Sequence, residues 1–580
     1  MSDGTLLELL EGAARSGRGV CFVDARERDA FCSYAAILES ARATGGGLQK
    51  LGVRPGDRVA IVLPTGPDFF DAFFGALYAG AVPVPLYPPV RLGRLDEYHE
   101  RTAAMLRASR ARRVLTDART RRVLGPSVER AAPELGCRAT ARIPGAEPAP
   151  VEVAADDAAF IQFSSGTTAA PKPVLLSHRG VRANVAAILQ RIRESCPEEP
   201  QRPHVCVSWL PLYHDMGLVG AVLAAMGHPG DLVLIPPELF VARPAVWLRA
   251  ISRHRGTISP APNFAYALCA DRVGDDEIAA LDLSSWRVAM NGAEPVTPAV
   301  LERFLSRFAA CGLRPEALTP VYGLAEATLA VTFSDLSKPF RHTVFDRDAL
   351  LDEGRARVAA HGSDLVSLGP PLPGFEVRIA SDAGDVLAAG RVGHVQVRGP
   401  SLMQGYDGLP EPTRRALRDG WLATGDVGFL HEGELYLCSR AKDVIVLRGR
   451  NHAPQDVEQA VSEVAGTRTG CVAAVGMLAP RGDGEELAVF AERTRGSRAA
   501  DLIPRIERQV LRRTGIAPGL VRVLEPGTLP RTSSGKIRRA ETLRLHELGA
   551  LRPPANVSAL SLTRAMVRST LAFARMRRRA

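Results

Sequence analysis

The densest chemistry in the sequence lies between Phe160 and Arg179. There Ser164, Ser165, Thr167 and Thr168 surround Gly166, and Pro171 and Lys172 follow. A loop of Gly, Ser and Thr beside a strand turns several backbone N–H groups and hydroxyls toward one point, which suits a polyanion such as a triphosphate. Lys172 adds a mobile positive charge. No GxxxxGK[ST] string occurs, so the loop is not a Walker A motif. On composition alone it also reads as a polar surface loop.

Further stretches put polar or charged groups at turns. In Trp209-Leu210-Pro211-Leu212-Tyr213-His214-Asp215-Met216-Gly217 a strand ends in a Pro-aromatic-His-Asp turn, and glycines open a helix. His214 and Asp215 fall where strand becomes loop, the usual place of ligand contact in α/β sheets. The plain alternative is a capping Asp and a core His. Asn291-Gly292-Ala293-Glu294 closes another strand with a polar turn. In Tyr322-Gly323-Leu324-Ala325-Glu326, Tyr322 offers a flat face for a purine and Glu326 a hard oxygen ligand for Mg2+. Glu326 also suits a simple helix-start charge. Thr424-Gly425-Asp426 ends in a carboxylate able to accept two ribose hydroxyls, although Gly-Asp is also a common Asx turn. Ser533-Ser534-Gly535-Lys536 sets a lone lysine in a Ser/Gly loop, which as a bare string is a basic surface loop.

The elements that must hold these residues alternate in type. Residues 158–163 are an apolar run that reads as a buried strand, 174–176 are a second short run, and Ser177 is placed to cap the next helix. Residues 34–50 have a helical pattern. A β-branched strand, an apolar helix at 69–79 and a second strand at 81–86 follow, with another strand at 114–117. Strands alternating with helices predict an α/β chain with parallel sheets covered on both faces. Residues 132–157, rich in Pro, Ala and Glu, read as a surface connector. Residues 365–438, strand-rich with Gly-Pro turns, predict a small β subdomain. No internal repeat is evident.

Composition narrows the partners. The formal charge is +10, but the basic residues interleave with 63 acids along all 580 residues, which argues against a nucleic-acid surface. Lysine occurs only at Lys50, Lys172, Lys338, Lys442 and Lys536. The nine cysteines show no CxxC and no metal-like clustering, which predicts free thiols and a reducing, cytoplasmic setting. The acidic start, Met-Ser-Asp-Gly, is no signal peptide. The longest apolar run, 72–87, contains Pro83 and Pro85 and falls short of the roughly 20 residues of a membrane span. The tail from 556 carries six arginines and no acid. It reads first as a solvated appendage, second as a helix touching an acidic carrier or an anionic membrane.

The phosphate-type loop resembles that of the adenylate-forming superfamily, which includes acyl-CoA synthetases, peptide-synthetase adenylation domains and luciferases. Their usual form is close to [ST]-S-G-[ST]-T-G-x-P-K-G. Ala169 and Pro173 stand where glycine is commoner, which stiffens the loop. The string 209–218 is very like the WLPLYHDMGL signature of fatty acyl-AMP ligases, a branch of that superfamily. Residues 448–456 are close to their RGRNHYPQD string, with Ala453 in place of Tyr, and 439–445 resemble the superfamily hinge. The resemblance runs from about 30 to 550. It implies the adenylate-forming fold: a large N-terminal adenylation domain over 1–438, a hinge, a small mobile C-terminal α/β domain over 439–552, and a basic tail over 553–580.

By function, the resemblance implies ATP-dependent activation of a fatty acid to an acyl adenylate, with pyrophosphate released. The acyl group then passes to a separate acyl carrier protein. By residue, it implies nucleotide contacts from Ser165, Gly166, Thr167, Thr168, Lys172, Asn291, Gly292, Ala293, Tyr322, Gly323, Asp426 and Arg440. Lys536, His214 and Glu326 are the implied catalytic residues, Glu326 and Thr167 the implied Mg2+ ligands, and Lys442 the hinge pivot. Residues 247–269 would wall the acyl tunnel, although their pattern equally fits plain core. An insertion is expected within 334–364. Two rival readings stand beside this one: a fatty acyl-CoA ligase, and a non-catalytic adenylate-binding protein.

Overall fold

The computed structural model describes residues 4–89, 92–164, 171–198, 203–447, 450–478, 485–532, 535–555 and 557–579. Ser165, Gly166, Thr167, Thr168 and Ala169 lie outside them, as do Arg448, Gly449, Ser533 and Ser534.

The alternation of apolar strands and helices produces two parallel sheets. One has four strands, in the order Val82–Leu86, Arg58–Val62, Arg113–Thr116 and Cys137–Ala139. The last lies inside the stretch expected to be pure connector. The larger sheet has eight strands. Leu318–Gly323, Val288–Asn291, Ile258–Ala261, Val205–Ser208, Asp231–Leu234 and Gly19–Val23 run parallel through its middle. Antiparallel strands, Ala330–Phe333 and Asp29–Ser33, close the two edges. Strands such as Val288–Asn291 are buried along their whole length because helices cover both faces. All the parallel strands deliver their C-terminal ends to one side.

The strand before the phosphate-type loop belongs to neither parallel sheet. Ala158–Phe163 pairs antiparallel with Pro173–Ser177, and Gly405–Tyr406 adds a third strand. The strands flanking the loop are therefore antiparallel neighbours. Ser177 caps the helix His178–Ser195 as expected, its Oγ accepting from the Gly180 amide at 3.1 Å.

Behind the large sheet lies an aromatic core of Trp209, Phe240, Trp247, Tyr266, Trp286 and Phe304. Trp247 and Tyr266 are fully buried there. Trp247 donates to Ser259 Oγ at 2.8 Å and Tyr266 to the Met290 carbonyl at 2.9 Å. These two rings are closed core, which corrects their expectation as tunnel wall.

Residues 376–440 form an antiparallel β unit of five strands. Before it, His342–Phe345 pairs with Ser363–Val366. Arg347, the first residue of the short helix Arg347–Leu351 between them, donates to the Arg513 carbonyl at 3.1 Å. Beyond residue 440 a smaller sheet of Thr467–Leu478, Glu485–Arg493 and Leu520–Leu524 carries the helices Pro454–Ser462 and Ala499–Thr514 on one face.

The tail is not a solvated appendage. Ala559–Arg579 is a helix docked on the helix Ala118–Ala131 near the N-terminus. Ser569 Oγ accepts from the Gly125 amide at 2.8 Å and donates to the Arg121 carbonyl at 3.0 Å. Ala572 is buried, Phe573 and Met576 join the core of the four-stranded sheet, and the Arg121 guanidinium lies 4.2 Å over the Phe573 ring. The apolar face that the pattern offers, Leu560, Met566, Val567 and Leu571, is not the docking face, since Leu560, Val567 and Leu571 stay exposed while Phe573 and Met576 pack inward. Among the described residues no helix is long and apolar enough to cross a membrane.

Candidate active site

The C-terminal ends of the parallel strands bring the separate motifs to one edge, where open α/β sheets bind ligands. Ser208 leads into the His-Asp turn, Ala261 into Asn263 and Phe264, Asn291 into Gly292-Ala293-Glu294, and Gly323 into Glu326. Two of these turns require glycine. A Cβ at Gly292 would sit 2.7 Å from Val321 Cγ2, and one at Gly323 would sit 1.8 Å from the Leu329 carbonyl oxygen. Ala293 holds a left-handed φ of +67°, a conformation that non-glycine residues keep only where the surroundings enforce it.

His214 Nδ1 lies 2.6 Å from Asp215 Oδ1, which also accepts from the Met216 amide at 2.7 Å. Burial would raise Asp215, but His214 and then Lys536 outweigh it and hold the carboxyl below its ordinary range. Gln162 Nε2 donates to the Tyr213 carbonyl at 2.7 Å, tying the strand before the phosphate-type loop to the His-Asp turn. That turn opens a helix whose middle, Leu218–Leu223, is π-helical, a local widening frequent at functional sites.

Asn291 is buried and donates to Asn263 Oδ1 at 3.0 Å. The other end of its amide has no partner among the described residues. A buried strand end with one free amide terminus fits the exocyclic edge of a base. Tyr322, also buried, donates to Asp426 Oδ2 at 2.7 Å, and Arg440 Nε lies 3.2 Å from Asp426 Oδ1. Each Asp426 oxygen keeps a further lone pair for a sugar hydroxyl.

Glu326 sits on a single tight turn, Ala325–Ala327, that leads directly into an antiparallel strand. The helix-start reading of this residue is thereby removed. Its Oε1 accepts from Tyr406 OH at 2.9 Å, and Lys172 Nζ lies 4.4 Å over the Tyr406 ring. Burial pushes the Glu326 carboxyl above its ordinary value and pulls Lys172 below its own, while Glu326 partly restores Lys172. Such a carboxylate beside the phosphate-type loop fits a divalent cation by charge and donor type. Thr167, its proposed co-ligand, is not among the described residues.

Lys536 reaches this edge from the smaller unit. Its turn is tied by Thr532, whose amide donates to the Lys536 carbonyl at 2.8 Å and whose Oγ1 accepts from the Lys536 amide at 3.1 Å. A Cβ at Gly535 would meet Phe264 at 4.0 Å, and Thr469 bonds Asp271 across the same seam. Burial, then Arg440, holds the lysine pKa down, and Asp215, Glu294 and Asp426 act against that. Lysine, histidine turn, Asp426 and Arg440 thus share one electrostatic neighbourhood.

The sequence reading marks Asp215 beside His214 but does not select Glu294 or Tyr406 as site residues. Burial raises the Glu294 carboxyl, opposed by the Phe264 amide and Lys536. Its position directly after Asn291-Gly292-Ala293 was the available signal. Tyr406 had none, because its partners Glu326 and Lys172 lie far away in sequence. Cys21, Asp29 and His254 gather ligand atoms within 4.8 Å of one another. Asp29 already pairs with Arg253 at 2.7 Å and the Cys21 thiol is pushed up to about 11 by burial, so the group is held in a state unsuited to metal.

This arrangement can receive a nucleotide along the strand ends, neutralise its phosphates with Lys172 and Lys536, and present a second anion to them. Similarities to known proteins agree. A relative from Caulobacter vibrioides, provisionally named an acyl-CoA synthetase, is 35% identical over 93% of this chain and 94% of its own length. The long-chain-fatty-acid–AMP ligase FadD23 of Mycobacterium tuberculosis is 33% identical over 85% of this chain and 86% of its own. A solved structure from a study of fatty acyl-adenylate ligases of E. coli and L. pneumophila superposes with a TM-score of 0.86 at 35% identity, covering 94% of this chain and 98% of that one. The AMP-binding enzyme family matches residues 9–407, well over half of the 580 residues, and the chain belongs to this family.

Proposed function

We propose that the chain joins a fatty acid to ATP, releasing pyrophosphate and forming an acyl adenylate whose acyl group passes to a separate acyl carrier protein. The observation that carries the reading is the convergence of Lys536 with Asp215, Glu294 and Asp426 beside the strand ends. The relatives' fatty-acid names support the substrate class.

Both substrates are anions, so repulsion is the first barrier. The acid arrives ionised near pH 7 and needs no general base. Its carboxylate oxygen attacks the α-phosphorus, and the bond to the β-phosphate bridging oxygen breaks, sending that electron pair to pyrophosphate. Lys536 lies between carboxylate and α-phosphate and stabilises charge that grows in the transition state. Lys172 holds the outer phosphates. Asp426 fixes the ribose, backed by Tyr322, and Asn291 meets the base. His214, oriented by Asp215, lines the path to the α-phosphate. Mg2+ on Glu326, with Thr167, would supply further charge neutralisation when bound. Catalysis is placement plus electrostatics.

A fatty acyl-CoA ligase is the second reading, favoured by the name of the Caulobacter relative. The contact of Arg347 with the Arg513 carbonyl supports the first, because it links the 342–366 segment to the smaller unit. The test is pyrophosphate release with a panel of carboxylic acids, followed by intact mass of the product with CoA or a phosphopantetheinylated carrier protein. Acid-dependent release and an acyl-AMP mass are expected. The absence of release with every acid would overturn the reading, and robust acyl-CoA would replace it with the second.

A further inference from the structure

Three guanidinium groups meet one carboxylate at the seam between the large and small parts of the chain. Arg94 Nη1 lies 3.5 Å from Glu97 Oε2, and Arg101 Nη1 and Arg538 Nη1 lie 3.8 and 3.7 Å from Glu97 Oε1. None of these reaches a good hydrogen-bond length. Arg538 is only 3% exposed. The Nε atoms of both Arg101 and Arg538 are buried and without a partner among the described residues. The next acid, Glu541, is committed to Arg544 at 2.7 Å. A buried guanidinium with an idle donor is costly, so the cluster lacks negative charge.

Its position says which charge. Arg101 lines a crevice together with Tyr87, Ser164, Pro171 and Thr532. Ser164 and Pro171 are the residues on either side of the undescribed phosphate-type loop, and Thr532 holds the Lys536 turn. We infer that Arg101, which faces the crevice, backed by the buried Arg538 across Glu97, forms an exit site that takes the pyrophosphate as it leaves that loop, while Arg94 is held by the Gly527, Thr528 and Arg552 carbonyls. Guanidinium forks suit a polyanion with several oxygens. The inference rests on the reaction proposed above, since it takes pyrophosphate as the product.

The site also couples release to motion. Arg101 stands on the helix Leu95–Ala108 of the large part, whereas Arg538 follows Lys536 in the small part. The two cations are brought together only while the lysine turn is docked, and burial and Arg101 both hold the Arg538 pKa down. With pyrophosphate on Arg101 the seam gains negative charge. Once it has gone, their repulsion favours undocking.

The experiment uses the full chain and magnesium pyrophosphate as the probe, read both as ATP–pyrophosphate exchange and as direct calorimetric binding. Arg101→Gln should raise the half-saturating pyrophosphate concentration about tenfold, with those of ATP and fatty acid unchanged within about twofold, and Arg101→Lys should recover part of the loss. Glu97→Gln should move it the other way, tightening pyrophosphate and slowing its release. A merely structural cluster would make both substitutions weaken binding together. That result, or unchanged pyrophosphate constants in both variants, or a shift confined to the carrier-protein half-saturation, would overturn the site. Failure of the unaltered chain to release or exchange pyrophosphate would instead sink the reaction, while the calorimetric arm would still judge the cluster.

Discussion

Lys536, Glu326 and Glu294 are displaced in opposite senses by one cause. Burial disfavours the charged form, so the lysine titrates lower and the two carboxyls higher than in water. The sign for activity follows. As pH rises, kcat/KM for ATP should climb while Glu326 loses its proton, at a pH above that of an ordinary glutamate. It should fall while Lys536 loses its own, at a pH below that of an ordinary lysine. Pyrophosphate release followed across pH checks both limbs, and Glu326→Gln should abolish the acid limb; a limb that survives in that variant assigns it elsewhere. Lys536→Ala removes a charge aimed at the transition state, so adenylate formation should drop by about 100- to 1,000-fold. ATP binding, measured by calorimetry, should change only a few-fold. Near-normal turnover in that variant would show that the lysine does not act in this half-reaction.

At the scale of elements, the site depends on how strands end rather than on which residues occupy them. Gly292 and Gly323 let turns fold back against Val321 and Leu329, and no other residue fits that space. Thr532 bonds both the amide and the carbonyl of Lys536 and so fixes where the lysine backbone stands. Among the several contacts that hold the tail helix, the tightest backbone approach is at Gly125. A Cβ at Gly125 would lie 2.4 Å from the Ser569 carbonyl oxygen. Gly125→Val should therefore undock Ala559–Arg579, and trypsin should cut the 564–578 arginines at least about tenfold faster, a docking loss of ~1.4 kcal/mol. Equal cleavage rates would mean that the helix is not held by this contact.

At the scale of the molecule, the small part is tethered at both ends. One tether is the strand Glu434–Arg440 leading into Lys442. The other is the stretch after residue 550, which returns to the large part: Arg94 donates to the Thr528 and Arg552 carbonyls, and the tail helix docks beyond them. A second tether opposes any large rotation of the small part, and with it any thioester step that needs one. CoA should accordingly give little thioester, and a chain truncated after residue 556 should give several-fold more while adenylate formation stays the same. Acyl-CoA formed quickly by the intact chain would contradict this.

The sequence determined the parts. Period and composition marked the strands, the Ser177 cap and the antiparallel β unit, because these depend on neighbours within a few residues. Short strings marked Lys172, Asn291, Glu326, Asp426 and Lys536, because each joins a fixed residue type to a turn. Only the tertiary structure decided who meets whom. Tyr406 reaches Glu326 from a distant strand, Trp247 proves to be core, and the arginine-rich tail turns a hidden apolar face to Gly125. The reason is physical: such contacts join residues hundreds of positions apart, and local pattern records a side chain's chemistry but not the surface it will be packed against.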